Sequence, residues 1–420
     1  MNVLYVLYVL YVLYVKQNNL IVLLFYMSKL LSQGGFGCVY YPGIKCDGKT
    51  DYKKSVVTKL QKLNFNAYNE IKIGEMIKKI TYYKLFYLPV IKSCPINLRS
   101  INNSVLSKCE VVKHSDELKY ILMTIPYISN LPFFSILTEG SSDMIGKKHM
   151  FLNLTETYRY LLDGIERLVE NKIVHFDLKG DNILYNTVTT DPQIIDFGIS
   201  IPINELNNDN IEDYFYIYAP DYYTWPLEVH IINFIIHETD KVLTDSDAEL
   251  IAKEYTKNNK ALKIFSPEFV DLFHEGCVKE IKKYIGVSRR ETVYNLLKFY
   301  KTWDNYSLSI LYLKTFEYIF GKGFQGNSMI ILFSQLLLLN INPDPLKRLS
   351  ILESREKFKE IFFVDDTVDD FVELIKNFDY DMDLTTKRIS EDLKELNKSK
   401  GRRKGKGLGQ GLGQGQGMKL

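Results

Sequence analysis

The chain has 420 residues, of which 46% are hydrophobic and 25% charged, as is typical of a soluble globular protein with two or three domains. Its formal net charge is +2, so no overall field favours nucleic acid or an anionic membrane. The five cysteines are scattered and form no Cys-x-x-Cys pair, which favours reduced thiols in a cytoplasmic compartment over a disulfide framework.

The amino terminus is a low-complexity apolar segment. Residues 3–15 read VLYVLYVLYVLYV, and their period of three matches neither a strand nor a helix. No basic residue precedes this run, and no small-residue cleavage site follows it, which disfavours a signal peptide. A membrane span extended to residue 27 would bury Lys16, at a cost of roughly 2.5–3.5 kcal/mol near a helix centre. We expect residues 1–26 to be untranslated or disordered, with membrane association through 3–27 as the alternative.

A glycine-rich stretch, LSQGGFGCV, follows between β-prone flanks. Glycines at 34, 35 and 37 allow the backbone of a hairpin to lie close to a ligand, where N–H groups can bind phosphate oxygens. A plain β-turn is an equally common reading of such a loop. The candidate binding residues are Leu31, Ser32, Gln33, Gly34, Gly35, Phe36, Gly37 and Val39.

The next strand, 55–60, carries Lys59, which is either a surface lysine or a cation for phosphates. A helix is predicted over about 66–80, with isoleucines at 73, 77 and 80 on one stripe. Glu70 lies three and seven residues before Ile73 and Ile77, so it shares their inward stripe. Glu75 lies away from that stripe. We therefore predict that Glu70 pairs with Lys59 and that Glu75 is solvated.

Residues 118–128, LKYILMTIPYI, indicate a strand that runs into a connector. If the connector holds adenine, it needs a backbone carbonyl and an N–H two residues further on, and Pro126 has no N–H to donate. This favours Thr124 as the residue guarding the back pocket, with Ile125 C=O and Tyr127 N–H facing the base.

After a helix at about 153–171, residues 174–184 read VHFDLKGDNIL. Such a turn can direct the polar groups of Asp177, Lys179 and Asn182 toward one point. An apolar strand then ends in Asp196, followed by Phe-Gly. A hydroxyl-proton acceptor, an amide oxygen and a second carboxylate are what metal-dependent phosphoryl transfer requires.

The remainder reads as helical. Residues 229–303 contain two apparent capping boxes, beginning at Ser246 and Ser288, and an N-cap serine followed by Pro267, which predict three short helices. Apolar helices are predicted from Asp304 to about 321 and over 328–340. Residues 356–398 form a peripheral helical extension, and the Gly/Gln/basic tail at 399–420 is expected to be disordered.

In their order along residues 27–355, these motifs resemble the eukaryotic-type serine/threonine protein kinases. The resemblance adds Glu228 in the sequence PLE, which pairs with Arg348, and Asp304 as the buried aspartate beneath the catalytic loop. The sequences GGFGCVYYP and WPLE and the biased composition look most like kinases of giant DNA viruses. The resemblance implies an α+β bilobal fold, with a β-rich N-lobe (27–126) carrying one main helix and a mostly helical C-lobe (127–355).

The resemblance also implies roles for the candidate residues in ATP- and Mg²⁺-dependent phosphorylation of protein hydroxyls. The expected catalytic residues are Asp177, which accepts the hydroxyl proton, and Lys179, which neutralises charge on the γ-phosphate. Asn182 and Asp196 are the expected metal ligands. Lys59, held by Glu70, anchors the α- and β-phosphates.

Three departures from the family pattern affect these expectations. Ser32 replaces the first glycine of the loop, which stiffens it but keeps its N–H donors. Phe176 replaces the arginine that usually receives an activation-loop phosphate, so we predict that such phosphorylation is not needed. The 229–303 insert is far longer than in ordinary kinases, so substrate recognition does not carry over.

The alternative function is a pseudokinase-like scaffold that binds ATP and a partner through the 229–303 insert. A small-molecule kinase is disfavoured by Lys179, Glu228 and Arg348. Specific nucleic-acid binding would depend only on the short basic run around Arg402, whose ordinary reading is a solvated terminus. The sequence does not indicate an oligomeric state.

Overall fold

The computed structural model describes residues 28–35, 37–113, 119–138, 143–238, 242–320, 328–363, 373–374, 384–392 and 394. The chain divides into two compact units. The first unit takes its described residues from 28–79 and 88–129, and the second from 80–87 and from 130 onward. The predicted lobes, with a boundary at 126, differ from this division chiefly because residues 80–87 group with the second unit.

A five-stranded antiparallel sheet forms the first unit, in the order β1-β2-β3-β5-β4. One α-helix of several turns accompanies it, as the fold class predicts. Up to residue 126 the elements are β1 (Lys29–Gln33), β2 (Gly37–Tyr41), β3 (Val56–Lys62), α1 (Phe65–Ile77), α2 (Tyr83–Phe86), β4 (Lys92–Ile96), α3 (Asn103–Leu106), α4 (Glu110–Lys113) and β5 (Tyr120–Pro126).

The two faces of the sheet have different partners because side chains alternate along each strand. Leu60 and Leu122, which are opposite each other on β3 and β5, belong to a buried apolar cluster that covers one face. Lys59 and Met123, the neighbouring opposed pair, therefore point to the other face. Glu70 of α1 contacts Lys59, which places that helix on the second face.

Four of the five cysteines are paired, so the expectation of reduced thiols is wrong for them. Disulfides join Cys38 to Cys109 and Cys46 to Cys94, each with a Cα–Cα distance of 6.0 Å. Their sequence separations of 71 and 48 residues conceal a proximity that only the folded sheet creates. Cys277 is a free, buried thiol. The cysteine argument for a reducing compartment therefore does not stand.

The second unit is predominantly helical and surrounds α12, a helix buried along almost its whole length. Two small sheets, of orders β6-β8-β9 and β10-β7, flank the loops that carry Asp177 and Asp196. Its elements are β6 (Asn130–Pro132), α5 (Ser135–Thr138), α6 (Met144–Glu170), β7 (Ile173–Val174), β8 (Ile183–Asn186), β9 (Pro192–Ile194), β10 (Ile201–Pro202), α7 (Ile211–Tyr214), α8 (Leu227–His237), α9 (Asp245–Asn258), α10 (Pro267–Lys282), α11 (Arg289–Leu297), α12 (Trp303–Phe320), α13 (Ser328–Asn340) and α14 (Ile351–Phe362).

Helices α9, α10 and α11 correspond to the three predicted between 229 and 303, but most of α8 also lies in this region and one start differs. Thr244, not Ser246, caps α9, in a reciprocal capping box with Asp247. Ser266 caps α10 with Pro267 at its first position, as predicted. Thr244 and Ser246 lie two residues apart at the start of α9, and the sequence did not distinguish which of them is the N-cap.

The described part of the 356–398 extension includes helical residues 384–392, which are attached to the core of the unit by charge. Asp392 lies 2.8 Å from the Lys314 ammonium and accepts a hydrogen bond from the Tyr318 hydroxyl (2.9 Å). Lys314 belongs to α12 and is itself buried. Burial raises the pKa of the Tyr318 phenol, so this hydroxyl remains a donor.

Among the described residues, no helix is long and apolar enough to cross a membrane. Our expectations for residues 1–26, for Phe36 and for the tail at 399–420 concern positions outside the described residues.

Gly74 sets the closest approach of α1 to the chain at Val90. A Cβ at Gly74 would lie 2.7 Å from the Val90 carbonyl oxygen, whereas one at Gly164 of α6 would meet only ordinary contacts of 3.5 Å or more. We expect Gly74→Ala to destabilise the protein by about 1–3 kcal/mol through overpacking. Gly164→Ala, the matched control, should be neutral or gain about 0.5–1 kcal/mol in helix propensity. Urea unfolding of both variants measures this difference, and equal stabilities would contradict it.

Candidate active site

The first candidate group is a buried ion pair in the first unit. Lys59 Nζ lies 2.7 Å from Glu70 Oε2, and the two side chains are only 8% and 3% exposed. The helix stripe predicted this partner over Glu75, which instead pairs with Lys78 at the surface. Little water screens a pair this buried, so the Glu70 carboxylate holds the ammonium of Lys59 in one place.

The glycine-rich stretch is the hairpin between β1 and β2. Gly34 N–H donates to Gly37 O at 3.0 Å, and no heavy atom lies within 4 Å of the Cβ that a side chain at Gly34 would carry. A Cβ at Gly37 would lie 2.5 Å from Leu60 O, so glycine is required where β2 begins to pair with β3. Ser32 is opposite Val39, within the paired part of the hairpin.

The structure differs from the expectation for the adenine-facing backbone. Tyr127 N–H donates to Ser55 O at 2.8 Å. Hydrogen-bonded pairs recur at every second residue of an antiparallel ladder, so Ile125, opposite Val57, also directs its N–H and C=O toward β3. Both predicted groups are therefore used by the sheet. The error arose because the proline argument fixed a register but could not show where the β3–β5 ladder ends.

Thr124 is likewise on the wrong face to guard a pocket beside Lys59. It is opposite Thr58, and strand alternation puts it on the face of Leu122 and the apolar cluster. Ile125, one residue on, shares the face of Lys59.

In the second unit, the catalytic-loop residues converge on Asp177. Asn182 Nδ2 donates to Asp177 O (2.8 Å) and to Asp177 Oδ2 (3.0 Å). Lys179 Nζ lies 3.3 Å from the same carboxylate oxygen. Because both Asn182 bonds come from its nitrogen, its amide is oriented with Oδ1 away from Asp177, where this oxygen can accept a hydrogen bond or ligate a cation.

Asp304 anchors this loop from below. Its Oδ2 accepts the His175 N–H (2.7 Å) and its Oδ1 accepts the Phe176 N–H (3.0 Å). The Asp177 N–H donates to His175 Nδ1 (3.3 Å), which places the imidazole proton on Nε2, 3.0 Å from Ile195 O. Burial raises the pKa of the Asp304 carboxyl, while His175 and the two N–H donors act in the opposite direction.

The pairing of β8 with β9 brings Asp196 close to this loop. Asn182 precedes β8 and Asp196 follows β9, its antiparallel partner, and the Ile195 N–H donates to Asn182 O at 2.9 Å. Asp196 has a φ of 65°, which is rare for a residue with a side chain and is concentrated at functional sites. The Phe197 ring packs edge-on against His175 at 5.0 Å.

Phe176 lies in an aromatic cluster, where the family would place an arginine. The residue is 2% exposed, and its ring stacks on Trp225 at a centroid distance of 4.8 Å. Trp225 Nε1 donates to Phe176 O at 2.7 Å. Phe215 and Trp303 complete what we call the aromatic cluster (Phe176, Phe215, Trp225 and Trp303). Aromatic packing therefore joins the catalytic loop to the segment before α8.

Sequence reasoning missed Tyr222, whose hydroxyl donates a hydrogen bond to Asp177 Oδ1. It is buried and packs edge-on against Trp225 at 4.8 Å. The sequence signal was its position four residues before the PLE motif. Because Tyr223 is adjacent, this position does not distinguish one tyrosine from the other.

The Glu228–Arg348 pair, which the resemblance implied, is present. Arg348 Nη1 and Nη2 donate to Glu228 Oε1 and Oε2, both at 2.8 Å, and neither side chain is exposed. This planar two-bond arrangement joins the start of α8 to the chain just before α14.

Residues 25–222, a little under half of the chain, match the protein kinase domain. The β-rich first unit, the helical second unit and the loop geometry agree with that match and define an α+β fold of the protein kinase class. The chain also shows 45% identity over 49 residues to mitogen-activated protein kinase kinase kinase 15 of Mus musculus. That stretch covers 12% of this chain and 4% of the mouse protein.

We expect Glu70→Gln to destabilise the protein by about 3–5 kcal/mol, since the Lys59 ammonium would stay buried without its carboxylate. Glu75→Gln makes the same chemical change on the same helix, at a surface pair worth about 0–1 kcal/mol. Urea unfolding of the two variants gives the comparison. A cost for Glu70→Gln no greater than that for Glu75→Gln would contradict the assignment.

Proposed function

We propose that the protein is a serine/threonine protein kinase that transfers the ATP γ-phosphoryl group to a protein hydroxyl with the aid of Mg²⁺. One observation carries the proposal: the Asp177 carboxylate is fixed by Lys179 and Asn182 on a loop that Asp304 anchors. The match of residues 25–222 to the protein kinase domain and the α+β fold support the kinase class. The lysine two residues after the aspartate supports the serine/threonine form.

In this mechanism the second unit provides the acid–base and metal chemistry. Asp177 orients the acceptor hydroxyl and takes its proton, and Lys179 neutralises charge that develops on the transferred group. In the first unit, the resemblance assigns the α- and β-phosphates to the Lys59 ammonium, which the Glu70 carboxylate holds. Most of the rate enhancement would come from electrostatic positioning.

The residues fit a magnesium ion. Mg²⁺ prefers oxygen ligands, keeps several waters and takes few protein ligands beside the substrate phosphates. Asn182 Oδ1, oriented by the bonds of its nitrogen to Asp177, and the Asp196 carboxylate are of this kind. Bound there, the ion would neutralise charge on the phosphates. Among the described residues, no group of three His, Cys, Asp or Glu forms another metal site.

The short match to the mouse kinase kinase kinase is consistent with a protein acceptor. The scaffold alternative is less well supported, because the lysine, the loop aspartate and the metal-binding aspartate are all retained. An origin in a giant DNA virus is part of the proposal, and it is supported only by the GGFGCVYYP and WPLE resemblance.

Asp177→Asn in the full chain should abolish phosphate transfer to a basic serine peptide, a loss of at least about 10²-fold, while ATP still binds. The control is Asp181→Asn, an identical change at an exposed residue of the same loop, which should retain activity. Transfer of labelled γ-phosphate, measured with Mg²⁺ and with EDTA, tests this. Full turnover by Asp177→Asn, or turnover in EDTA, would contradict the mechanism.

We predict that the enzyme works without activation-segment phosphorylation, since the aromatic cluster replaces an arginine–phosphate contact. Treatment with a broad phosphatase, removed before assay, should leave the rate constant unchanged relative to mock-treated enzyme. Phe176→Ala should instead cost about 3–5 kcal/mol in unfolding free energy by emptying the cluster. A fall in rate that follows the loss of phosphate would show that the segment needs the modification.

A further inference from the structure

The hydroxyl of Tyr222 occupies the position on Asp177 that an acceptor hydroxyl would need. Asp177 Oδ2 accepts bonds from Asn182 (3.0 Å) and Lys179 (3.3 Å), and Tyr222 Oη donates to Oδ1. Under the proposed function, a substrate serine must donate its proton to this same carboxylate. Because Oδ2 already accepts two bonds, the phenol and a substrate hydroxyl would compete for Oδ1.

Its own chain segment and the aromatic cluster hold Tyr222 in place. Tyr222 N–H donates to Ala219 O at 2.9 Å, and the Trp225 N–H donates to Tyr222 O at 3.1 Å. The ring is 1% exposed and packs edge-on against Trp225, which stacks on Phe176. The Lys179 ammonium lies over the ring, 5.9 Å from its centroid. The phenol is therefore held against the aromatic cluster with its hydroxyl on the Asp177 carboxylate.

We propose that Tyr222 is an internal substitute for the acceptor hydroxyl, and that protein substrates must displace it from Asp177 before phosphate transfer. This inference rests on the proposed function. The phenol and the substrate hydroxyl compete for one carboxylate oxygen, so the resident phenol lowers the apparent affinity for substrate. An enzyme whose competent state is only partly populated has a raised KM and an unchanged kcat. Substrates with strong additional contacts are selected, because they must overcome this competition.

Tyr222→Phe removes only the hydroxyl and keeps the ring against Trp225, so it tests the hydrogen bond to Asp177 alone. We expect its KM for a basic serine peptide to fall about tenfold or more at unchanged kcat, the effect of removing a hydrogen bond to a charged group. Tyr218→Phe is the matched control in the same segment, since the Tyr218 hydroxyl donates to Glu254 (2.8 Å). Its constants should equal those of the parent.

A second measurement does not depend on that variant. The chain has two tryptophans, so Trp303→Phe leaves Trp225, against the Tyr222 ring, as the only indole reporter. Saturation with the peptide should shift its emission as Tyr222 leaves Asp177. No shift at saturation would overturn the proposal.

The kinetic outcomes separate this inference from the proposed function. Parent and Tyr218→Phe enzymes that turn over while Tyr222→Phe loses kcat would make Tyr222 a positioning residue and overturn displacement. Unchanged KM in Tyr222→Phe would do the same, and both results leave the kinase assignment intact. Phosphate found on Tyr222 by mass spectrometry would make it a substrate and also overturn the proposal. No turnover by any form would reject the proposed function and this inference with it.

Discussion

The acceptance of two backbone N–H groups by the buried Asp304 carboxylate is the constraint on which the candidate site depends. It fixes the peptide planes at His175 and Phe176, and Phe176 then adopts a φ of 68°, where a side chain is normally disfavoured. Asp177 follows directly, so the direction of its carboxylate is set by an interaction that it does not itself make. His175, bound to both Asp177 N–H and Ile195 O, extends this constraint to the chain between β9 and Asp196.

The aromatic cluster of the second unit supports the same loop by apolar packing. In the aromatic cluster, the Phe176 ring stacks on Trp225, and the Trp225 indole N–H donates to the Phe176 carbonyl. This packing needs no charged partner. The catalytic loop is thus held by a carboxylate on one side and by rings on the other.

The sequence predicted a contact correctly where helix periodicity or the order of motifs left only one candidate residue. Glu70 was identified because helix periodicity put it on the buried stripe, and Glu228, Arg348 and Asp304 followed from motif order. Helix α13, at Ser328–Asn340, agrees with its predicted range because proline residues prevent its continuation. These features are local, or are tied to a motif that fixes the partner.

The failures concern contacts between residues distant in sequence. Cys38 and Cys109 are brought together by the sheet, and nothing in their spacing indicates it. Ile125 and Tyr127 were assigned to a ligand because the extent of β5 depends on its pairing with β3. Tyr222 was missed because the sequence does not show which group the hydroxyl of a loop tyrosine contacts. Propensity and periodicity do not report such tertiary choices.

The Glu228–Arg348 pair has a consequence for how the protein is made. Its partners are 120 residues apart, and Asp304 is 129 residues from His175. A chain emerging from the ribosome exposes Glu228 and the catalytic loop long before Asp304 and Arg348 exist to neutralise and anchor them. The first unit can fold early, from contacts that end near residue 129. The second must wait for Arg348, so the nascent chain carries its candidate site residues unassembled while the intervening residues are made.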